Sequence, residues 1–256
     1  MTDSNPHDSL AGRIFLVVET LVRVGDPIGP RALAREANVE RSAVARILKQ
    51  LTALGVVERV DGAYIAGPRL FALSWAAVEI DTLSKAALPI IQELSDQFKE
   101  SCYVCLRQGD EGVMTHKAES DQPVRYVIKL NAPFPLYAGA SGRAILAGLP
   151  EPELTAYLDR TTFEPVTPAT VTSRQRIVEL TGEARRLGYS TAFEEVIPGG
   201  WAVSSPFFDR AGTCVGAIIL TSPMSRLDRS RIPEFGEAVR DASTALSERL
   251  GFRPTD

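Results

Sequence analysis

A chain of 256 residues, 45% of them hydrophobic, is longer than one typical domain and shorter than three. It has no stretch near the roughly 18–20 unbroken apolar residues of a membrane-spanning helix, and its first ten residues, with Asp3 and Asp8, lack the basic start and apolar run of a secretory signal. Three cysteines argue against a disulfide framework and fit a reducing cytoplasm, and a formal net charge of −4 rules out a general polycation.

Residues 10–24 place Leu10, Ile14, Val17, Val18 and Leu21 at helical spacing, with Asp8 or Ser9 as the cap and Gly25-Asp26-Pro27 as the stop. Pro30 suits the first position of a short second helix running to about Ala37. A third helix over 41–54 carries Val44, Ile47, Leu48, Leu51 and Leu54 on one stripe and closes on Gly55. Residues 56–60 and 63–65 are β-prone and flank Asp61-Gly62, a strong two-residue hairpin signal. Three helices and a hairpin follow the winged helix-turn-helix plan, in which the third helix enters a major groove and the hairpin lies beside it. The same plan also serves protein-interaction modules, because a fold is not a function.

Residues 1–68 therefore read as a DNA-binding domain, 69–83 as a linker helix (Leu70, Phe71, Leu73, Trp75, Val78), and 84–256 as a second domain. A helix over 88–98 continues the chain. Strands are expected at 101–107, 112–117, 124–130, 190–196, 201–208 and 214–220. The stretch 138–142, Ala-Gly-Ala-Ser-Gly, leads into a helix at 143–147, and further helices are expected at 151–158, 173–187 and 233–250. Strands and helices without strict alternation suggest an α+β domain around a largely antiparallel sheet.

In these pieces the chain resembles the isocitrate-lyase-regulator (IclR) family of bacterial transcription regulators over nearly its whole length. The resemblance rests on Leu33-Ala34-Arg35-Glu36-Ala37, on Ser42-Ala43-Val44-Ala45-Arg46-Ile47-Leu48, and on the helix exit Leu54-Gly55-Val56-Val57. It continues in Pro135-Leu136-Tyr137-Ala138-Gly139-Ala140-Ser141-Gly142-Arg143-Ala144, then Arg186-Leu187-Gly188-Tyr189, Glu194-Glu195 and Pro198-Gly199-Gly200, and closes with the strands at 202–209 and 216–222. The resemblance implies a GAF-like effector-binding domain, a homodimer formed through the DNA-binding domains, and often a tetramer. The implied partners are double-stranded operator DNA and a small organic acid, with no cofactor and no membrane.

A net charge of −4 runs against nucleic-acid binding, so its distribution matters, and it leaves room for a small basic face but no blanket of positive charge. Residues 1–68 hold 8 Lys and Arg against 8 Asp and Glu, so the net −4 falls on the remainder. Between Arg31 and Arg59, six basic residues face three acidic ones. At the start of the third helix, Arg41, Ser42, Ala43 and Arg46 are placed for base edges and backbone, with Lys49 one turn further. Arg46 suits guanine O6 and N7, Ser42 and Lys49 suit phosphate oxygens, and Ala43 suits a thymine methyl. Arg59 and Tyr64 on the hairpin are placed for the backbone or the adjacent minor groove. The alternative for these residues is a solvated helix face.

By motif position, the resemblance carries the effector cavity onto Tyr126, Ala140, Ser141, Ala192, Gly200, Ala202, Ile219 and Thr221. Small residues leading into a helix expose backbone N–H groups that can hold a carboxylate. Ala192 stands where members that take small polar acids can carry Asp, and Ile219 where a polar strand residue occurs. The pocket therefore suits an aromatic or longer-chain acid. The alternative for these positions is core packing. A second reading of the whole chain is a small-molecule sensor without sequence-specific DNA binding.

Other chemistry is less well supported. Cys102-Tyr103-Val104-Cys105 matches C-x-x-C, but on a strand a spacing of three puts the thiols on opposite faces. Redox pairs of that type open a helix instead. The two histidines, His7 and His116, belong to no catalytic motif, and adjacent Glu194 and Glu195, which on a strand would make a poor acid–base pair, read better as loop or strand-end carboxylates. The chain is not expected to be an enzyme.

Overall fold

The computed structural model describes residues 9–80 and 82–253, and the chain divides into two units between Asp81 and Thr82. In the first unit, helix α1 (Leu10–Val24) starts where Ser9 Oγ accepts the Gly12 N–H at 3.0 Å and stops at left-handed Gly25. Asp8, the other candidate cap, lies outside the described residues. Helix α2 (Pro30–Glu36) opens on its proline, and α3 (Arg41–Ala53) follows. Strands β1 (Val57–Val60) and β2 (Ala63–Ala66) pair antiparallel across Asp61 and Gly62, both at positive φ, as a type I′ turn requires. A bridge from Ile28 to Tyr64 ties the hairpin to the α1–α2 connection. Val17, Leu21, Leu33, Val44, Ile47, Leu48 and Val57 meet in the core of this unit. Helix α4 (Pro68–Ile80) completes it. Thr82 and Leu83, the last described residues of the expected linker 69–83, lie in the helix that follows α4.

The second unit is built on a six-stranded antiparallel sheet in the order β5-β4-β3-β8-β7-β6. Its strands are β3 (Ser101–Gln108), β4 (Glu111–Ala118), β5 (Pro133–Pro135), β6 (Ser190–Phe193), β7 (Gly200–Phe208) and β8 (Cys214–Pro223). Helices α5 (Thr82–Phe98) and α9 (Ile232–Arg249) cover one face, where Ile91, Val104, Trp201, Val203, Ile218, Leu220 and Val239 pack. Helices α6 (Gly139–Gly148), α7 (Glu151–Arg160) and α8 (Arg174–Leu187) belong to the other, with Tyr103, Cys105, Leu136, Ile145, Tyr157, Ile177 and Ile219. The period-2 alternation of β3 divides Cys102 from Cys105 between these two cores. Helix α5 runs through Pro89, and Arg249 Nη1 donates to the carbonyl of Ala86 beside that gap in the hydrogen-bond ladder, at 3.0 Å.

Three expectations need correction. Residues 124–130 form no strand. Their backbone is taken up by side chains: the Tyr103 hydroxyl donates to the Tyr126 carbonyl (3.2 Å) and accepts from the Ile128 N–H (3.1 Å), and Arg226 Nη1 donates to the Val124 carbonyl (2.7 Å). With those groups satisfied elsewhere, the edge partner of β4 is the short β5 instead. The strand expected over 190–196 ends at Phe193, because Glu194 turns to a φ of 58°. Helix α6 begins at Gly139, so the small-residue stretch is its first turn rather than a loop before it.

Candidate functional site

Two surfaces carry chemistry. On α3, the buried stripe Val44, Ile47, Leu48 and Leu51 fixes which side faces outward, and Arg41, Ser42, Arg46 and Lys49 are exposed there. Ala43 is a correction: it is 3% exposed within the core of the first unit and cannot reach a thymine methyl. The Ser42 hydroxyl donates to Glu40 Oε1 at 2.5 Å, so a phosphate would have to displace that bond. On the hairpin, Arg59 and Tyr64 are cross-strand partners, with the guanidinium 6.0 Å from the ring centroid. Beside α3, Arg35 pairs with Glu36 at 3.2 Å.

In the second unit a cavity of about 270 Å³ lies between the sheet and the start of α6. Met114, Val127, Ile128, Phe134, Val196, Ile197 and Ile219 make most of it apolar. At one end Gly139, Ala140 and Ser141 form the first turn of α6. Their cap position is Ala138, which offers no side-chain acceptor. The first N–H groups of any helix lack intrahelical partners and sit at the positive end of its dipole, so this turn favours an anion. Lys129, Glu194, Glu195, Ser141 and Thr221 add polar atoms to the lining. Thr221 Oγ1 already donates to the Trp201 carbonyl at 3.1 Å.

The cavity wall formed by residues 194–197 is tied to α6 and braced from outside the cavity. Arg143, on α6 and 1% exposed, donates from Nη1 to Glu195 Oε2 (2.6 Å) and from Nη2 to Glu195 Oε1 (2.7 Å). It also donates from Nη2 to the Thr191 carbonyl (2.7 Å) and from Nε to Ser190 Oγ (3.4 Å). The hydroxyls of Thr167 and Thr170 donate to the carbonyls of Glu194 (2.7 Å) and Glu195 (2.6 Å). Glu194 Oε1 accepts the Gly199 N–H at 2.8 Å, closing the turn that carries Val196 and Ile197 into the cavity.

The thiols are not poised for reaction. Burial pushes Cys105 up to about 12, against smaller downward effects from the Val113 backbone and the Ser141 side chain, and pushes Cys214 up to about 12 as well. Cys102 is raised further still, by burial and then by the charge of Glu100. Among the described residues, no three His, Cys, Asp or Glu side chains group so as to hold a metal ion.

Residues 76–248 match the family model described as bacterial transcriptional regulator IclR, C-terminal. The chain belongs to the IclR family. Among IclR-related proteins, it is 28% identical to the HTH-type transcriptional regulator KipR of Bacillus subtilis, over 83% of this chain and 85% of that one. It is 28% identical to the HTH-type transcriptional repressor AllR of Escherichia coli K12, over 94% and 90%. The fold is shared with an IclR homologue of Microbacterium hydrocarbonoxydans solved in complex with 4-hydroxybenzoate, at a TM-score of 0.82 and 21% identity, covering 94% of this chain and 99% of that one.

Within this IclR-family chain, the structure brings Ala140, Ser141, Ala192, Gly200, Ala202, Ile219 and Thr221 together around one cavity. Tyr126 does not line it. Its hydroxyl donates to the Pro198 carbonyl at 2.9 Å and its ring backs Gly199 and Gly200, so it braces the cavity wall. Tyr126→Phe should therefore cost about 0.5–1.5 kcal/mol, the net worth of one hydrogen bond, read as a lower urea midpoint with an unchanged slope. Arg143, Glu195, Thr167 and Thr170 are the positions that the sequence reading missed. One signal was available: Arg143 is a single charge in the apolar run Ala140–Leu146, which called for a carboxylate partner.

Proposed function

We propose that the chain is a DNA-binding transcription regulator whose operator affinity is altered by a small organic acid. The first unit acts as a winged helix-turn-helix, with Arg46 forking onto a guanine, Lys49, Arg41 and Ser42 on phosphates, and Arg59 and Tyr64 beside the duplex. The second unit acts as a GAF-like effector domain in a cytoplasmic homodimer, a two-fold assembly that would read two half-sites. The observation that carries this reading is the mostly apolar cavity set against the uncapped first turn of α6. It supports a monocarboxylate whose charge meets the N–H groups of Ala140 and Ser141 while an aromatic or extended apolar body fills the remainder. The 4-hydroxybenzoate complex of the Microbacterium homologue is consistent with that choice. The acid acts by binding one arrangement of the paired DNA-binding units more tightly than another, since a ligand shifts an equilibrium only by its differential affinity.

A gel shift at physiological salt tests both halves. Purified protein is expected to retard the DNA upstream of its own gene and not a scrambled duplex, with 4-hydroxybenzoate changing the midpoint. Arg46→Ala should weaken specific binding by about 1–3 kcal/mol and relax preference at one base step. Equal affinity for both duplexes, with no motif recovered from a genome-wide DNA selection, would leave a sensor without specific DNA binding.

A further inference from the structure

We propose that the buried Arg143–Glu195 pair sets the charge preference of the cavity: Arg143 cancels the charge of Glu195, and that cancellation is what admits an anionic effector. The inference rests on the reading of this cavity as the effector site. Three charged residues are among those lining the cavity, Lys129, Glu194 and Glu195. Counted by formal charge, they would oppose a carboxylate. Glu194 is exposed and therefore screened by water. Glu195 is 7% exposed, so its charge is felt with little screening unless it is matched.

The match is made by a residue outside the cavity. Arg143 is absent from the lining and reaches Glu195 from behind, engaging both carboxylate oxygens at 2.6 and 2.7 Å. Its bonds to the Thr191 carbonyl and Ser190 Oγ hold the guanidinium in place independently of any ligand. With Glu195 neutralised, the positive start of α6 governs the part of the cavity lined by Gly139, Ala140 and Ser141. Burying both ions costs several kcal/mol in desolvation, so stability alone is a weak reason for such a pair. Arg143 is thus a positioning residue that acts on the effector through Glu195.

The test uses the full chain and matched acid and amide probes, 4-hydroxybenzoate with 4-hydroxybenzamide and hexanoate with hexanamide, titrated calorimetrically. The wild type is expected to prefer each acid. Glu195→Gln leaves the guanidinium charge unopposed and should tighten acid binding by at least about tenfold, while Arg143→Gln leaves the carboxylate unmatched and should weaken it by at least about tenfold, the effect of a unit charge roughly 12 Å away at an effective dielectric near 20. The amides should stay unchanged in both variants. The double variant Arg143→Gln with Glu195→Gln should return the acid-to-amide ratio close to that of the wild type. Should one single variant fail to fold, the other and the double variant still decide, because the two shifts are opposite in sign. A purely structural role would move acid and amide together. A ratio constant within about twofold across proteins that bind the acids would overturn this proposal and leave the effector reading standing. A wild type that binds none of the four probes, or prefers the amides, would overturn both.

Discussion

Gly142→Val is expected to destabilise the second unit by about 3 kcal/mol or more, at or above the upper end for overpacking. A Cβ at position 142 would lie 2.1 Å from the carbonyl oxygen of Leu136, 2.6 Å from its carbonyl carbon and 2.8 Å from its Cα. All three are backbone atoms of the chain just before α6, so no side-chain rotation relieves the clash. Helix α6 cannot retreat easily either, since Ala140 to Leu146 are buried on every side. Thermal unfolding monitored through the second unit should drop by roughly 6–12 °C, taking 2–4 °C per kcal/mol for a domain of this size. Any transition of the first unit should stay where it was, because none of its residues is touched. The same variant should lose binding of 4-hydroxybenzoate, since Leu136 and Gly142 frame the turn that presents Ala140 and Ser141. A midpoint within about 2 °C of the wild type would mean that the turn over 136–138 yields without cost.

That close approach belongs to a stretch whose composition was informative but whose geometry was not. The run Ala138–Gly142 points to a functional turn because small residues leading into a helix expose backbone N–H groups that can hold a carboxylate. It did not say that the helix starts at Gly139, since a Gly-rich first turn has poor helix propensity and is held by tertiary packing. Local rules did best where local physics decides. Ser9, Gly25, Pro30 and Asp61-Gly62 each placed a helix end or a turn, because caps and left-handed positions depend on one or two residues. The segment 124–130 shows the opposite case. Val124, Tyr126 and Ile128 alternate as a strand should, yet Tyr103, more than twenty positions earlier, takes the Tyr126 carbonyl and the Ile128 N–H.

The candidate sites divide along the same line. Exposed Arg41, Arg46 and Lys49 follow directly from the helical period, because the apolar stripe of α3 fixes the opposite face. Ala43 fails because it sits beside Val44 and Ile47 on the edge of that stripe, where a methyl group packs inward. The cavity positions came from a pattern spread over α6, β6, β7 and β8, and they converge because the antiparallel register sets Ala192 opposite Ala202, and Ala202 opposite Thr221. The Arg143–Glu195 contact spans 52 positions, and no period or spacing rule reaches that far. Glu194 and Glu195 do lie past the strand end at Phe193, as loop or strand-end carboxylates should, but that placement alone names no partner for either.

Arg143→Leu is expected to be the other costly substitution, at about 3–5 kcal/mol, because it strands a carboxylate inside the protein. Glu195 would lose its bidentate partner while Thr170 still holds its backbone carbonyl at 2.6 Å, so the side chain could not simply swing out to water. The Thr191 carbonyl and the Ser190 hydroxyl would each lose a donor at the same time. Adding Glu195→Leu should recover most of the loss, since replacing both members of a buried pair by apolar groups is often neutral or stabilising. Urea unfolding of the wild type, both single variants and the double variant forms a cycle whose coupling should exceed about 2 kcal/mol, within the range for residues in direct contact. Additive single effects would mean that water or a rearranged loop takes over the role of the guanidinium, and the wall carrying Val196 and Ile197 would then be held by Thr167 and Thr170 alone. A strong coupling together with a stable double variant separates two roles of the pair: its net contribution to folding is small, and its remaining role is to keep a charge beside the cavity matched.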